Sequence, residues 1–409
     1  MELTELAGKI LAYGPCCDHC LGRFFGKSGH GLANDQRGIA LRIARSVAEN
    51  APYEPFSGTC WICGNFFEKV PVFAGRIADA LGQVEYGTFL VGCRVPPLIA
   101  ESEEMVISDL SLPRAELFKS EVNREVGKAV SARTGKSVDF RTPDVIVLID
   151  LLQDAIEVQV NPVFVYGRYR KLERGIPQTH WDCRACRGAG CEKCNFTGKQ
   201  YQDSVEELIG RPTVELFHAG GAVLHGAGRE DIDARMIGTG RPFILEIVAP
   251  KRRSISIRDL ESAINTSAAG RVEVELDRWS ERSEVETLKS NKAHKKYRIV
   301  VEADGAPSAD AFVTAVNSLS GAKICQRTPE RVAHRRADKI RERRVLTIAC
   351  TGEEAGRFIV EVTGEAGLYI KELVSGDNGR TRPSLSEALG SPARVVSLDV
   401  VLVEEREGE

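Results

Sequence analysis

Residues 225–243, HGAGREDIDARMIGTGRPF, place four glycines around Arg229, Glu230, Asp231, Asp233, Arg235, Arg241 and a proline. Such a stretch serves to cradle a phosphate, to cap a helix, or to hold one carboxylate where it must react. Phosphate loops of the G-x-x-x-x-G-K-[ST] or G-x-G-x-x-G kind require glycines that are missing here: Gly226-Ala-Gly228 lacks the third, and Gly238-Thr-Gly240 runs into Arg-Pro. What remains is Gly228-Arg229-Glu230-Asp231, a G-R-x-D element that presents an aspartate on a glycine-flanked turn. The glycines read as hinges that let Arg229 and Asp231 leave the sheet edge.

Working outward, strands dominate from residue 200 onward, at 243–248, 272–276, 297–302, 345–349, 358–362 and 393–403. Helices are expected at 204–209, 257–264 and 309–319. No βαβ series repeats, so an α+β domain with a largely antiparallel mixed sheet follows. Upstream, a helix is expected over 35–49. Phe118, Val122, Val126 and Val130 recur every fourth residue, one stripe of an amphipathic helix within 113–133. Strands at 144–150 and 155–160 flank a Gln153-Asp154 turn, giving a small α/β accessory domain over 1–165. Residues 167–181, GRYRKLERGIPQTHW, read as a basic, irregular linker into a second domain at 166–409.

The chain has 409 residues, 43% of them hydrophobic and 28% charged, with a net charge of −3. Those values suit folded domains with cores of their own. No uncharged apolar run approaches the ~18 residues of a membrane span, and the N-terminus lacks a secretion-signal layout. A cytoplasmic monomer is expected. Local charge is informative: residues 329–345 hold seven Lys/Arg against three acids, and Lys251, Arg252 and Arg253 form a second cluster. These are candidate phosphate contacts, with Arg331, Arg335, Arg336 and Arg341 named from the first cluster; a solvated face is the plainer reading.

Twelve cysteines in such a chain are not a disulfide framework. Cys17 and Cys20 pair with Cys60 and Cys63, and Cys183 and Cys186 with Cys191 and Cys194, as two Cys-x-x-Cys sets suited to structural zinc. Cys16 offers a second pairing with Cys20, and cross-pairing between the sets stays open. Cys93, Cys325 and Cys350 fit ordinary buried thiols.

Two further elements occur in order after G-R-x-D. Lys295-Lys296-Tyr297 resembles a K-x-Y segment, and Gly367-Leu-Tyr-Ile-Lys371 resembles the G-x-Y-[IV]-[RK] segment of bacterial tRNA pseudouridine-55 synthases. Together with RYRKLERGIPQTHW, QRTPERVAHRR, YIKELVSGDNGRTRPSL and the N-terminal CDHCLGRFFG, the chain resembles the archaeal tRNA pseudouridine-54/55 synthase family. That resemblance implies a pseudouridine synthase fold preceded by an α/β THUMP-containing, zinc-binding accessory domain. It further implies isomerisation of uridines 54 and 55 in the tRNA T-arm, with no redox, energy or organic cofactor. Asp231 would be the reacting carboxylate and Lys371 its cationic partner. Tyr297 would stack on the uracil and handle its C5 proton, and Arg229 would fill the gap left by the flipped uridine. The acceptor end of the tRNA would lie on the accessory domain. Asp233 is the alternative nucleophile if the register differs. Plainer roles compete: a turn aspartate, a half-buried strand tyrosine and a surface lysine. The runner-up function is a non-catalytic, zinc-containing RNA-binding protein or RNA chaperone.

Overall fold

The computed structural model describes residues 3–290, 292–333 and 336–404. Arg335 therefore lies outside the described residues. Contacts divide the chain into two compact units, Met1–Asn161 with Lys251–Arg253, and Pro162–Pro250 with Ser254–Glu409. The break between Asn161 and Pro162 precedes the boundary expected at 165. The segment 251–253 belongs to the first unit although it is embedded in the sequence of the second.

In the first unit four strands form one sheet: β1 (Thr88–Arg94), β2 (Ser137–Val138), β3 (Val145–Asp150) and β4 (Ala155–Val160), in the order β2-β1-β3-β4. β1 runs parallel to both β2 and β3, and β3 pairs antiparallel with β4. Val145, Val147 and Ile149 alternate into the core, as the period of two requires. The stripe Phe118, Val122, Val126 and Val130 is buried along the helix Phe118–Thr134, which closes on Gly135 at φ +69°. Helix Asn34–Ala48 occupies the expected place, with Gln36 Oε1 accepting from Ala33 N at its start. The 153–154 turn is made with Asp154 at φ +51°. Helices Val70–Leu81 and Pro97–Asp109 and strand β1 had no strong sequence signal.

The second unit is built on one large sheet. Its strands are β5 (Val163–Lys171), β6 (Gly221–Gly226), β7 (Arg235–Val248), β8 (Val272–Ser280), β9 (Lys295–Ala303), β10 (Lys323–Arg327), β11 (Ile340–Glu354), β12 (Arg357–Gly364), β13 (Thr381–Arg382) and β14 (Ala393–Val403). The order is β13-β10-β11-β12-β9-β14-β7-β5-β8, with β6 beside β7. All pairings are antiparallel except β14 with β7, at Asp399 opposite Arg235 and Val400 opposite Met236. Helices Val205–Phe217, Ile257–Ala268 and Ala309–Asn317 pack on it, each opened by a serine that accepts from a backbone N–H in the first turn: Ser204, Ser256 and Ser308.

Two sequence readings need correction. Residues 167–171 are no linker: they belong to β5, held between β7 and β8, with Tyr169 and Lys171 fully buried. Polar side chains disguised a core strand: Tyr169 and Lys171 are buried because each finds a partner inside, the Glu230 carboxylate and the Ile176 carbonyl. The strand expected at 243–248 starts at Arg235, so Gly238 and Gly240 are strand glycines rather than hinges. At φ +61° and +71°, a Cβ there would lie 2.0 Å from the Val401 carbonyl oxygen and 2.9 Å from that of Tyr169. Only glycine lets the neighbouring strands come this close.

Candidate active site and metal centres

The G-R-x-D loop links β6 to β7, and a layer of buried polar side chains fixes it from below. The Glu230 carboxylate turns into the core, where it accepts from Arg241 Nε at 2.8 Å and from the Tyr169 hydroxyl at 2.9 and 3.0 Å. Both side chains of the Arg241–Glu230 pair are 1% exposed. Arg241 Nη1 also donates to the Ala227 carbonyl at 2.7 Å. Gln178 Nε2 joins the Tyr169 hydroxyl (2.8 Å) to the Gly228 carbonyl (2.9 Å). Lys171 Nζ donates to the carbonyls of Ile176 at 2.8 Å and of Asp231 and Ile232 at 3.1 Å. Burial lowers the Lys171 ammonium to about 8. Gly228 sits at φ +83°, where a Cβ would meet Arg241 Nη1 at 3.1 Å and Lys295 Nζ at 3.3 Å. The loop is therefore a braced turn, not a floppy one.

Above this layer opens a cleft of about 380 Å³ whose lining includes Arg229, Asp231, Lys295, Tyr297, Arg331, Arg336 and Lys371. The side chain of Asp231 points into it. Its Oδ1 lies 2.9 Å from Arg331 Nη1 and its Oδ2 3.5 Å from Lys371 Nζ. Burial alone would raise the Asp231 carboxyl, but the charges of Arg331 and Lys371 hold it below the usual carboxylate range. Arg331 is itself clamped by the buried Glu372, Nε to Oε1 at 2.6 Å. Lys371 grips Asp233 at 2.6 and 2.7 Å. The sequence reading paired Lys371 with Asp231. The hydrogen-bonded cation on Asp231 is Arg331, and Lys371 is the more distant second charge.

Tyr297 comes from β9 and is nearly buried; burial pushes its phenol up to about 12. It reaches the same cleft, beside Lys295, whose ammonium burial lowers to about 8. The segment carrying Lys371 is positioned by Gln326, fully buried, which donates to the Tyr369 carbonyl and accepts from the Tyr369 N–H, both at 2.9 Å. Arg229 lies over the Trp181 ring, 5.2 Å from guanidinium carbon to centroid.

The basic candidates divide. Arg336 donates to the Tyr369 hydroxyl at 2.9 Å and Arg341 to Thr328 Oγ1 at 3.0 Å, both on the cleft. Arg331 is occupied by carboxylates, as above. In the first unit Lys251 and Arg252 are exposed, whereas Arg253 is an internal clasp: its guanidinium pairs with Asp144 at 3.1 Å and donates to the Asp144 and Asn161 carbonyls. Within 329–345 the described residues include a short helix, Glu330–Ala333, and the start of β11 at Ile340, so they do not share one helical basic face.

The cysteine sets each close within one unit. Cys17, Cys20, Cys60 and Cys63 bring their sulfurs within 4.8 Å of one another, and Cys183, Cys186, Cys191 and Cys194 do the same. Sulfur separations of 3.6 Å (Cys17–Cys63) and 3.7–3.9 Å in the second set match the edge of a tetrahedron with metal–sulfur bonds of ~2.3 Å, about 3.8 Å. Either cluster could hold a metal ion. Cys16 stands outside the first set, its thiol toward the Cys17 carbonyl at 3.7 Å. Of the remaining thiols Cys93 is buried, Cys325 is exposed on the outward face of β10, and Cys350 is half-buried against the core.

Glu230, Arg241, Tyr169, Gln178, Lys171 and Glu372 carried no motif signal of their own, whereas Lys295 stood in the K-x-Y segment without a role assigned to it. An arginine and a glutamate flanking the aspartate loop were visible, but not that they bond to each other.

The family description "Pus10, C-terminal" matches residues 164–404, and "Pus10 THUMP domain, archaeal" matches residues 73–150. A protein of Halorubrum lacusprofundi named tRNA pseudouridine synthase Pus10 is 46% identical over 99% of this chain and 97% of its own length. One so named from Methanothrix thermoacetophila is 42% identical over 98% and 94%, and one from Pyrococcus furiosus 38% over 98% of both. No described helix is long and apolar enough to cross a membrane. With a C-terminal Pus10 match over more than half of its length and an archaeal Pus10 THUMP domain, the chain belongs to the Pus10 family.

Proposed function

We infer that the chain is a tRNA pseudouridine synthase that isomerises uridines 54 and 55 of the T-arm, with Asp231 as the reacting carboxylate. The relatives' shared name supports the reaction and the tRNA substrate. The observation that carries the role of Asp231 is an ionised carboxylate in a cleft, braced by Arg331 and Lys371. In the reaction the N1–C1′ bond breaks, the uracil turns, and a C5–C1′ bond forms; C5 loses a proton and N1 gains one, with no net oxidation. An ionised carboxylate serves either as nucleophile or as stabiliser of the developing positive charge. Tyr297, nearly buried beside it, stacks on the uracil and passes on the C5 proton. Arg229 takes the place of the flipped uridine in the RNA. Arg336 and Arg341 contact phosphates at the cleft, and Lys251 and Arg252 offer a further cationic patch. The accessory unit receives the acceptor end of the tRNA.

Both cysteine clusters hold structural zinc: four thiolates leave no open position for substrate. Elemental analysis should find two zinc ions per chain. One zinc should remain when Cys60 and Cys63 are changed to serine; two remaining would contradict the assignment.

The function is tested by incubating the full chain with an unmodified tRNA transcript and mapping pseudouridine by position. Product at 54 and 55 is expected. RNA binding without any product would favour the non-catalytic RNA-binding reading.

A further inference from the structure

Beside the uridine cleft lies a second cavity of about 190 Å³, half the volume of the first. The two share Arg229, Glu230, Asp231, Arg331 and Arg336, so the second begins where the Asp231–Arg331 pair ends. Unlike the first, its lining includes an indole, Trp181, beside Ile232 and Asp233.

That indole is firmly held. The Trp181 carbonyl accepts from Gln200 N at 2.9 Å, and the neighbouring Asp182 bridges to Lys199. Cys183 N donates to the Gly198 carbonyl at 2.7 Å, at the root of the second cysteine cluster. Tyr201 packs against the ring in a T-shaped contact, centroids 5.7 Å apart and planes at 79°. The Arg229 guanidinium lies over the indole, 5.2 Å from its centroid. A planar cation over an aromatic face occupies the place that a stacked base would take. Once Arg229 enters the RNA it cannot also cover Trp181.

We propose that Trp181 is a stacking platform for a nucleobase adjacent to the target uridine, seated in the second cavity and exchanged for Arg229 when RNA binds. Arg336, on the rim of both cavities, supplies the cation for the phosphate between the two nucleotides. A pair of neighbouring uridines then occupies a pair of neighbouring cavities, and the cysteine cluster keeps the platform rigid. The proposal rests on the pseudouridine synthase reading for the identity of its RNA.

The test is a coupling measurement with the full chain. Its affinity for an unmodified tRNA transcript is compared with that for transcripts made abasic at each T-arm uridine, and at each nucleotide flanking the pair, in turn. One abasic site should weaken wild-type binding about ten-fold, the scale of a lost base–aromatic stack. Trp181→Ala should lose the same on the intact transcript and nothing further on that abasic one. Trp181→Phe should keep the dependence on the base. Unchanged zinc content and melting temperature in Trp181→Ala establish that the platform's support is intact; if they change, Trp181→Phe against the abasic series decides alone. Losses that multiply at every position would overturn the platform. Pseudouridine formation by the wild-type chain reports separately on the enzyme reading: product without coupling sinks the platform alone, and coupling without product sinks the enzyme reading alone.

Discussion

Glu230 and Asp231 are consecutive carboxylates with opposite surroundings. Glu230 faces inward and is sealed by Arg241 and Tyr169, with its side chain 1% exposed. Asp231 faces the cleft, 29% exposed, beside two cations that have other anchors in Glu372 and Asp233. The turn at Gly228 points one acid into the sheet and the next out of it. The difference teaches how the loop works: one carboxylate is consumed in holding the backbone still, so that the other is held ionised without being locked away.

The largest expected effect follows from removing the outward acid. Asp231→Asn should lower single-turnover isomerisation by about 10⁴-fold or more, the scale of losing a reacting group. Next comes the inward one. Glu230→Gln strands a buried guanidinium at Arg241 and should cost ~3–5 kcal/mol in urea unfolding, as breaking a buried pair does. A loss under ~1 kcal/mol would show that the inner pair is not the brace. The smallest effect is on pH. Arg331→Met with Glu372→Gln removes the nearest cation from Asp231 without leaving Glu372 unpaired. Because Arg331 lowers the Asp231 carboxyl, its loss raises that pKa, and the acid limb of the rate profile should move to higher pH. By the same sign, the stability contributed by ionised Asp231 is present above its unfolded pKa and lost as pH falls through the folded one. An unmoved acid limb would place the controlling charge on Lys371 instead.

Much of this was legible in the sequence because certain residue types have few other uses. The every-fourth-residue stripe from Phe118 to Val130 can bury only one helical face, and Cys-x-x-Cys pairs at these spacings bring four sulfurs within reach of one another. The strands from Tyr297 to Val403 alternate plainly. β5 was hidden because Arg168, Tyr169, Arg170 and Lys171 look like surface residues; the burial of Tyr169 and Lys171 depends on acceptors such as Glu230 and the Ile176 carbonyl, which only the fold supplies. Gly238 and Gly240 suggested hinges because conformational freedom and close packing leave the same mark on a sequence. The cation beside Asp231 was hidden for a related reason: Arg331 lies 100 residues away among seven Lys/Arg, and only the sheet order brings it to the loop.

The division of labour between the two acids is tested most directly by measuring pseudouridine yield and urea stability on Asp231→Asn and Glu230→Gln side by side. A crossed result is predicted: Asp231→Asn folds with a stability within ~1 kcal/mol of wild type, since its carboxylate is partly exposed, and makes no product. Glu230→Gln loses stability by several times that margin, yet keeps measurable turnover wherever it remains folded. Product formed by Asp231→Asn at the wild-type rate would contradict the account.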